Sequence, residues 1–560
     1  MSNQSHPLAD GAPRFSTPVL ADAARSGGAG AAWQLIAEGQ GGESIARAID
    51  AVEGDFAFGV QVAGNKTVMA VDRFAVRTLC YRVVGGEIRF ARRADELADS
   101  DTEIDPQAIF DYLYFHAIPS PRTIFKGIYR LPPAHYAIWA DGKLEVKAYW
   151  RPQFSEQKSA SLDALKDEFR TLLVASVRHE LDGSKAACFL SGGTDSSTIA
   201  GMIGQAQGQP GASYSIGFEA EGYDEMEFAR ITARHFKTEH HEYYVTPADL
   251  VRSIPAVARH FDQPFGNSSV LPSYYCAKMA KEDGVSKLLA GDGGDELFGG
   301  NARYAKQKVF GWYQHLPGLL RRNLMEPALG TALAGKVPVV SKAASYVEQA
   351  SVPMPDRMQM YNLVMRLGVQ DILTPGFLSQ VDVGLPLQQQ RQVWKSTPAC
   401  SEVNAQLAFD WRYTLAETDL PKVLGATGFA QVAVGFPFLD RKILDFSLAL
   451  PTDYKLKGMK LRWFFKEALK GFLPEETITK KKQGFGLPFG VWALRDQALR
   501  TLATDSLQSL SQRGIVRPEF IRSLLDVRLA EHPGYFGEMV WILMMLEQWL
   551  QGHAPNYRLK

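Results

Sequence analysis

The chain contains 560 residues, room for about two to four domains of ordinary size. Its 46% hydrophobic and 22% charged content is that of a folded globular protein and excludes a disordered or collagen-like class. Lys plus Arg equals Asp plus Glu at 61 each, so no global charge bias points to nucleic acid or to an anionic membrane as partner.

The opening residues, MSNQSHPLADGAPRF, lack the basic start and apolar core of a secretory signal. Residues 1–30 are polar and rich in Gly and Ala, and we expect them to be poorly ordered. From about 50 to 150 the pattern becomes short alternating segments: FAFGVQV, TVMAVDRF, TLCYRVV, EIRFAR, HYAIWA and KLEVKAYW. Turn residues separate them at Ala63-Gly64-Asn65, Gly85-Gly86 and Asp141-Gly142, which predicts an antiparallel β-rich domain over 31–155. Arg151-Pro152-Gln153 and the polar stretch to Ser161 read as a linker.

After 160 apolar strands alternate with helical periods: AACFL (186–190), SYSIGF (213–218), EYYV (242–245) and KLLAG (287–291). This predicts a parallel sheet with helices on both faces, in a second domain spanning 160–555. Ligands in such sheets bind beyond the carboxyl ends of the strands. From about 305 onward the pattern is mostly helical. The run MVWILMMLEQWL at 539–550 is too short to cross a bilayer and is interrupted by Glu547 and Gln548, so it predicts a buried helix. Four cysteines (Cys80, Cys188, Cys276, Cys400) lie far apart without paired spacing, and the expected compartment is the reducing cytoplasm.

Two loops carry the chemistry. Residues 189–197 read FLSGGTDSS, an apolar strand end running into a helix start. Adjacent glycines let the backbone turn tightly and approach a ligand. Ser191, Ser196 and Ser197 add hydroxyls beside main-chain N–H groups, a setting that favours bound phosphate. Asp195 would repel phosphate if left alone, so it suggests an intervening Mg²⁺. The Walker A spacing is absent. A Gly/Ser-rich turn without function is the alternative, and the loop's place directly after ACFL argues against it. The second loop, residues 291–300, reads GDGGDELFGG. Three acids in five residues repel one another, which is tolerable where they hold a divalent cation or handle protons. The pair His240-His241 suggests a metal site only superficially, because adjacent strand residues point to opposite faces.

SGGTDSS resembles the pyrophosphate loop of ATP pyrophosphatases. With Gly291–Gly300, Ser215–Phe218, Tyr223-Asp224-Glu225, His240-His241-Glu242, Pro437–Asp440, Leu473-Pro474, Lys480–Phe485 and Pro488, it resembles the asparagine synthetase family over roughly residues 50–550. The resemblance implies an α/β protein: an N-terminal antiparallel β-rich domain of class II glutamine amidotransferase type, then a parallel-sheet ATP pyrophosphatase domain with many helices. It further implies binding of ATP with Mg²⁺, activation of a carboxylate as its acyl-adenylate, release of pyrophosphate, and amide formation by a nitrogen nucleophile. On that basis Ser191, Gly192, Gly193, Asp195, Ser196 and Ser197 match the pyrophosphate loop, and Leu190, Ile216 and Gly291 match the adenosine pocket. Asp195 and Asp295 match magnesium-linked acids. Asp292 matches an acid beside the reacting acyl group, a candidate proton acceptor.

Three departures stand out. The family's glutaminase half begins Met-Cys-Gly, whereas this chain begins Met1-Ser2-Asn3 and has no cysteine before Cys80. The Arg-Gly-Pro-Asp and Asn-Gly-Glu signatures for glutamine are missing too, so a degenerate domain without glutaminase activity is expected. In the family's acceptor pocket, alignment back from Pro437 keeps Lys422 and Val423. It puts Leu424, Gly425, Ala433 and Gly435 where two acids and two cations are usual, which would change the pocket's polarity. The family's catalytic lysine falls at Arg462, with Lys460 two residues earlier; arginine keeps the charge but is a poor proton donor.

The resemblance therefore implies an AMP-forming C–N ligase acting on a small-molecule or peptide carboxylate, with ammonia or an amine as donor. Family-level naming would read glutamine-hydrolysing asparagine synthase. An intramolecular cyclase similar to lasso-peptide cyclases or β-lactam synthetases is the alternative enzyme, and a non-catalytic ATP-binding scaffold the alternative of another class. A homo-oligomer or a separate ammonia-supplying partner is compatible with each.

Overall fold

The computed structural model describes residues 7–39, 44–63, 65–157, 160–314, 346–398, 401–481 and 486–559. Ser2, the turn residue Gly64, Cys400 and residues 482–485 of the C-terminal motif lie outside the described residues.

The N-terminal unit is built from strands β1 (Leu8–Gly11), β2 (Arg14–Phe15), β3 (Val52–Glu53), β4 (Phe56–Val62), β5 (Lys66–Val71), β6 (Cys80–Val84), β7 (Glu87–Ala91), β8 (Tyr129–Arg130), β9 (His135–Ala140) and β10 (Lys143–Ala148). One antiparallel sheet has the order β1-β4-β5-β9-β10, and a smaller sheet the order β7-β6-β8. Strand alternation decides what each face buries. Phe56, Phe58 and Val60 face the helix Pro18–Glu38, where Trp33 stacks on Phe58 at 4.2 Å between ring centroids. Ala57, Met69 and Val71 face the smaller sheet and meet Tyr81, Ile88 and Phe90. A Cβ at Gly59 would stand 2.5 Å from the Phe90 ring, so glycine is what lets the two sheets close.

From residue 7 on, the stretch expected to be poorly ordered carries regular structure. Leu8–Gly11 pairs with β4 as an edge strand, and the Ala-rich segment forms the helix Pro18–Glu38, burying Leu20, Ala32, Trp33 and Ile36. Alanine is the best helix former, and Trp33 supplies an apolar anchor that composition alone obscures. The N-terminal unit thus takes in residues ahead of the expected start at 31.

The second unit has a parallel sheet of β11 (Ala187–Phe189), β12 (Ala212–Phe218), β13 (Glu239–Val245), β14 (Lys287–Leu289) and β15 (Ala433–Gly435), in the order β13-β12-β11-β14-β15. The chain winds outward from β11 through β12 to β13, then returns to lay β14 on the other side of β11. That reversal opens a crevice beyond the carboxyl ends of β11 and β14, where both glycine-rich loops begin. β15 was not foreseen in the helical C-terminal part; three residues among helices carry too short a period to register. The predicted buried helix is present as Pro533–His553, and its Glu547 is satisfied by Arg513 (Nε to Oε2, 2.6 Å). Among the described residues no helix is long and apolar enough to cross a membrane. His240 and His241 make separate side-chain contacts: His240 with Ser213 and Glu242, His241 with Glu239 and Asp283.

Candidate active site

The crevice holds a cavity of about 1030 Å³ lined by both loops and by the segment around Arg462. The first loop turns at Gly192 (φ +69°), where a Cβ would stand 2.5 Å from the Ala229 backbone nitrogen, and enters the helix Thr194–Gln207. The Ser191 N–H donates to Ser196 Oγ (3.1 Å), and the two hydroxyls lie 3.0 Å apart, both on the cavity wall. The first N–H groups of a helix have no intrahelical acceptor and sit at its positive end, so this loop is a natural anion cradle. Leu190, Ile216 and Gly291 also line the cavity. Gly291 is required by close approach: its Cβ would stand 2.9 Å from both the Asp195 Cβ and the Ser196 nitrogen.

Arg462 joins the two loops. Its guanidinium donates to Thr194 Oγ1 (2.5 Å) and to Asp195, and pairs with Asp295 Oδ1 at 3.1 Å. Burial alone would lower the arginine pKa, but Asp195 and Asp295 outweigh it and raise it. Among the described residues no cluster of three or more His, Cys, Asp or Glu forms a metal cage. Asp195 and Asp295 are nonetheless the hard oxygen donors that Mg²⁺ takes when its other ligands are substrate phosphates and water. The residues fit a Mg²⁺ carried in on a nucleotide.

Asp292 lies on the cavity wall with Lys422 Nζ 3.3 Å from its Oδ1; the same ammonium is 3.2 Å from Asp419 Oδ1. Burial raises the Asp292 pKa while Lys422 pulls it down, and the net direction is up. Burial would lower Lys422, yet Asp419 and Asp292 together raise it, so the ammonium stays charged. Glu296, also on the wall, is pushed well above the ordinary carboxylate range by burial, with Asp295 and Asp419 adding to it.

The structure brings most of the sequence-predicted residues to one cavity. Ser197 is the exception among the hydroxyls: it is fully buried, bonded to Thr232 (2.9 Å), and its N–H is taken by Gly193. Gly192 shapes the turn without lining the cavity. Lys460 lines the mouth as an exposed cation on the hairpin Leu456–Leu461. Of the positions aligned with the family's acceptor pocket, Lys422 and Val423 line the cavity, whereas Leu424, Gly425, Ala433 and Gly435 do not. Gly425 packs on the Phe261 ring, Gly435 on Glu180, and Ala433 is exposed.

Lys422 entered the sequence reading only as a retained acceptor-pocket position and Glu296 only as one of three clustered acids; Asp419, Lys466 and the Lys480–Glu225 pair (3.0 Å) also line the cavity. Lys466 follows Arg462 by four residues, hence on the same helical face. Burial, with Arg462 adding to it, lowers its pKa.

A buried ionic node joins the two units. Glu417, on the π-helical stretch Trp411–Asp419 that ends beside Lys422, accepts from the Ser120 hydroxyl (2.7 Å) and pairs with Arg130 and Arg412. Burial would raise its pKa, but the two arginines outweigh it and the direction is down. Glu417→Gln leaves two buried guanidiniums short of a counter-charge, and we expect a loss of about 3–5 kcal/mol in urea unfolding at neutral pH. A depressed folded pKa means the stabilisation is present above the ordinary glutamate value of about 4.3 and lost as pH falls through the folded value. The gap between wild type and variant should therefore shrink in acid; a gap independent of pH contradicts the assignment.

The profile described as asparagine synthase matches residues 168–551, and that described as glutamine amidotransferase domain matches residues 38–150. The chain belongs to the asparagine synthase family. It is 25% identical over 494 residues to asparagine synthetase [glutamine-hydrolyzing] 1 of Bacillus subtilis, covering 87% of this chain and 75% of that one. A putative asparagine synthetase [glutamine-hydrolyzing] of Mycobacterium bovis is 25% identical over 464 residues, covering 81% and 68%. Amidase chyE of Penicillium rubens is 23% identical over 486 residues, covering 79% and 71%.

Proposed function

We propose that the chain is an ATP-dependent, AMP-forming amide ligase whose nitrogen comes from ammonia or an amine rather than from its own glutamine hydrolysis. One observation carries this reading: the Ser191–Ser196 cradle, the Asp195–Arg462–Asp295 cluster and the Asp292–Lys422 pair all line one cavity. Ser191, Ser196 and the helix N-terminus would hold the phosphates. Arg462 would offset the charge that develops on departing pyrophosphate, as a preorganised donor does. Bound Mg²⁺, held by Asp195 and Asp295, would supply further charge neutralisation there. Asp292, with Lys422 beside it, would take the proton from the attacking nitrogen.

The nitrogen source rests on the N-terminal unit. Cys80, its cysteine among the described residues, is 1% exposed, and burial raises its thiol pKa, the opposite of an activated nucleophile. Exchange of labelled pyrophosphate into ATP, screened over amino acids, small carboxylates and peptides, tests the ligase reading. We expect exchange with one substrate class, and product from ammonia but not from glutamine. Exchange with none of them would overturn it.

A further inference from the structure

Arg462 occupies a place made for a guanidinium. It is 6% exposed and has φ +53°, a region sparsely populated by non-glycine residues, at the start of the helix Trp463–Leu469. Its guanidinium carbon lies 4.7 Å from the Phe465 ring centroid. A Cβ at Gly300 would stand 1.8 Å from Asp295 Oδ1 and 2.5 Å from Arg462 Nε, and one at Gly294 2.1 Å from Asp195 Oδ1 and 3.0 Å from Arg462 Nη2, so both glycines clear room for the carboxylates together with the guanidinium. Thr194, Asp195 and Asp295 then converge on its nitrogens. Asp195 and Asp295 are also the acids read as magnesium donors, so an internal cation already sits where they meet.

We propose that Arg462 is a resident counter-cation that keeps Asp195 and Asp295 from collecting a divalent metal until a nucleotide arrives; this rests on the reading of the cavity as a Mg·ATP site. The charge count makes the point. Two carboxylates facing each other carry −2 and would draw a dication; with the arginine the cluster carries −1, and an approaching metal meets a fixed positive charge. Mg²⁺ dehydrates reluctantly and gains little from such a site. A triphosphate changes both terms: it brings its own negative charge for the metal and offers the guanidinium bidentate oxygen acceptors in place of the carboxylates. A lysine at this position would offer one compact point charge in place of the planar guanidinium that spreads its donors over Thr194, Asp195 and Asp295. Metal and nucleotide are thereby coupled through one side chain, and the cluster's charge stays halved while the site is empty.

The test is Mn²⁺ binding to the full chain without nucleotide, read by the electron paramagnetic resonance of the free ion. Arg462→Met should bind Mn²⁺ at least about tenfold more tightly than wild type, a conservative reading of removing one positive charge within a few ångströms of the metal. Arg462→Lys should lie between them, and adding Asp195→Asn to Arg462→Met should remove the gain. A non-hydrolysable ATP analogue should give wild type a bound Mn²⁺ with enhanced water-proton relaxation. Equal affinities for wild type and Arg462→Met overturn the proposal, as does a gain that survives Asp195→Asn. Should Arg462→Met not fold, tight Mn²⁺ binding by nucleotide-free wild type, or no gain in Arg462→Lys, overturns it equally. Failure of pyrophosphate exchange with the Mn²⁺ pattern intact would sink the ligase reading and leave the counter-cation standing; the reverse pattern would do the opposite.

Discussion

Replacing Asp292 by Asn is expected to slow amide formation by about 10²–10⁴-fold, the usual cost of losing a positioned proton acceptor. The amide keeps the shape and can still accept from Lys422, so the wall of the cavity should be undisturbed. What it loses is the capacity to take a proton from nitrogen. Pyrophosphate exchange, which precedes nitrogen attack, should stay close to the wild-type rate. Measuring exchange and product formation on one preparation separates the two half-reactions. A parallel fall in both would place Asp292 in adenylation and withdraw its role as proton acceptor.

Asp195→Asn should act on the other half. Removing one carboxylate from the Asp195–Arg462–Asp295 cluster would take away one of the two proposed metal donors and unbalance the cation proposed to face the phosphates. Loss of one preorganised electrostatic group costs about 10²–10³ in rate, and we expect that fall in pyrophosphate exchange itself. The cradle should survive, because the Ser191–Ser196 hydrogen bonds do not involve Asp195. Undiminished exchange at saturating ATP would mean that Asp195 is not part of the nucleotide site.

Much of the fold was legible because strands of period two and loops rich in Gly and Ser are local signals. FAFGVQV, KLLA and the buried C-terminal run each became the element they predicted. The N-terminal segment was misread because Ala and Gly look featureless until Trp33 finds Phe58 across the sheet. β15 was missed because its partner β14 lies far away in sequence. Alignment assigns residues to places in a family, but the face a helix turns to the cavity depends on packing. Gly425 faces Phe261, whereas Lys422, three residues earlier, faces Asp292.

By itself the sequence determined the family, a β-rich unit followed by a parallel-sheet unit, and the pair of glycine-rich loops, since those depend on residue kind and spacing. Only the tertiary structure decided how the charges of the site are balanced. Residues 195, 295 and 462 come from three segments, and whether a carboxylate meets a cation, a carboxylate or water is set by folding at a distance. The same holds for Lys422, which stands between two acids, and for Glu417, which ties the units together next to the cavity. Coulomb energy grows as charges approach and as the medium becomes less polar, so these balances exist only once folding has brought the charges together in the interior.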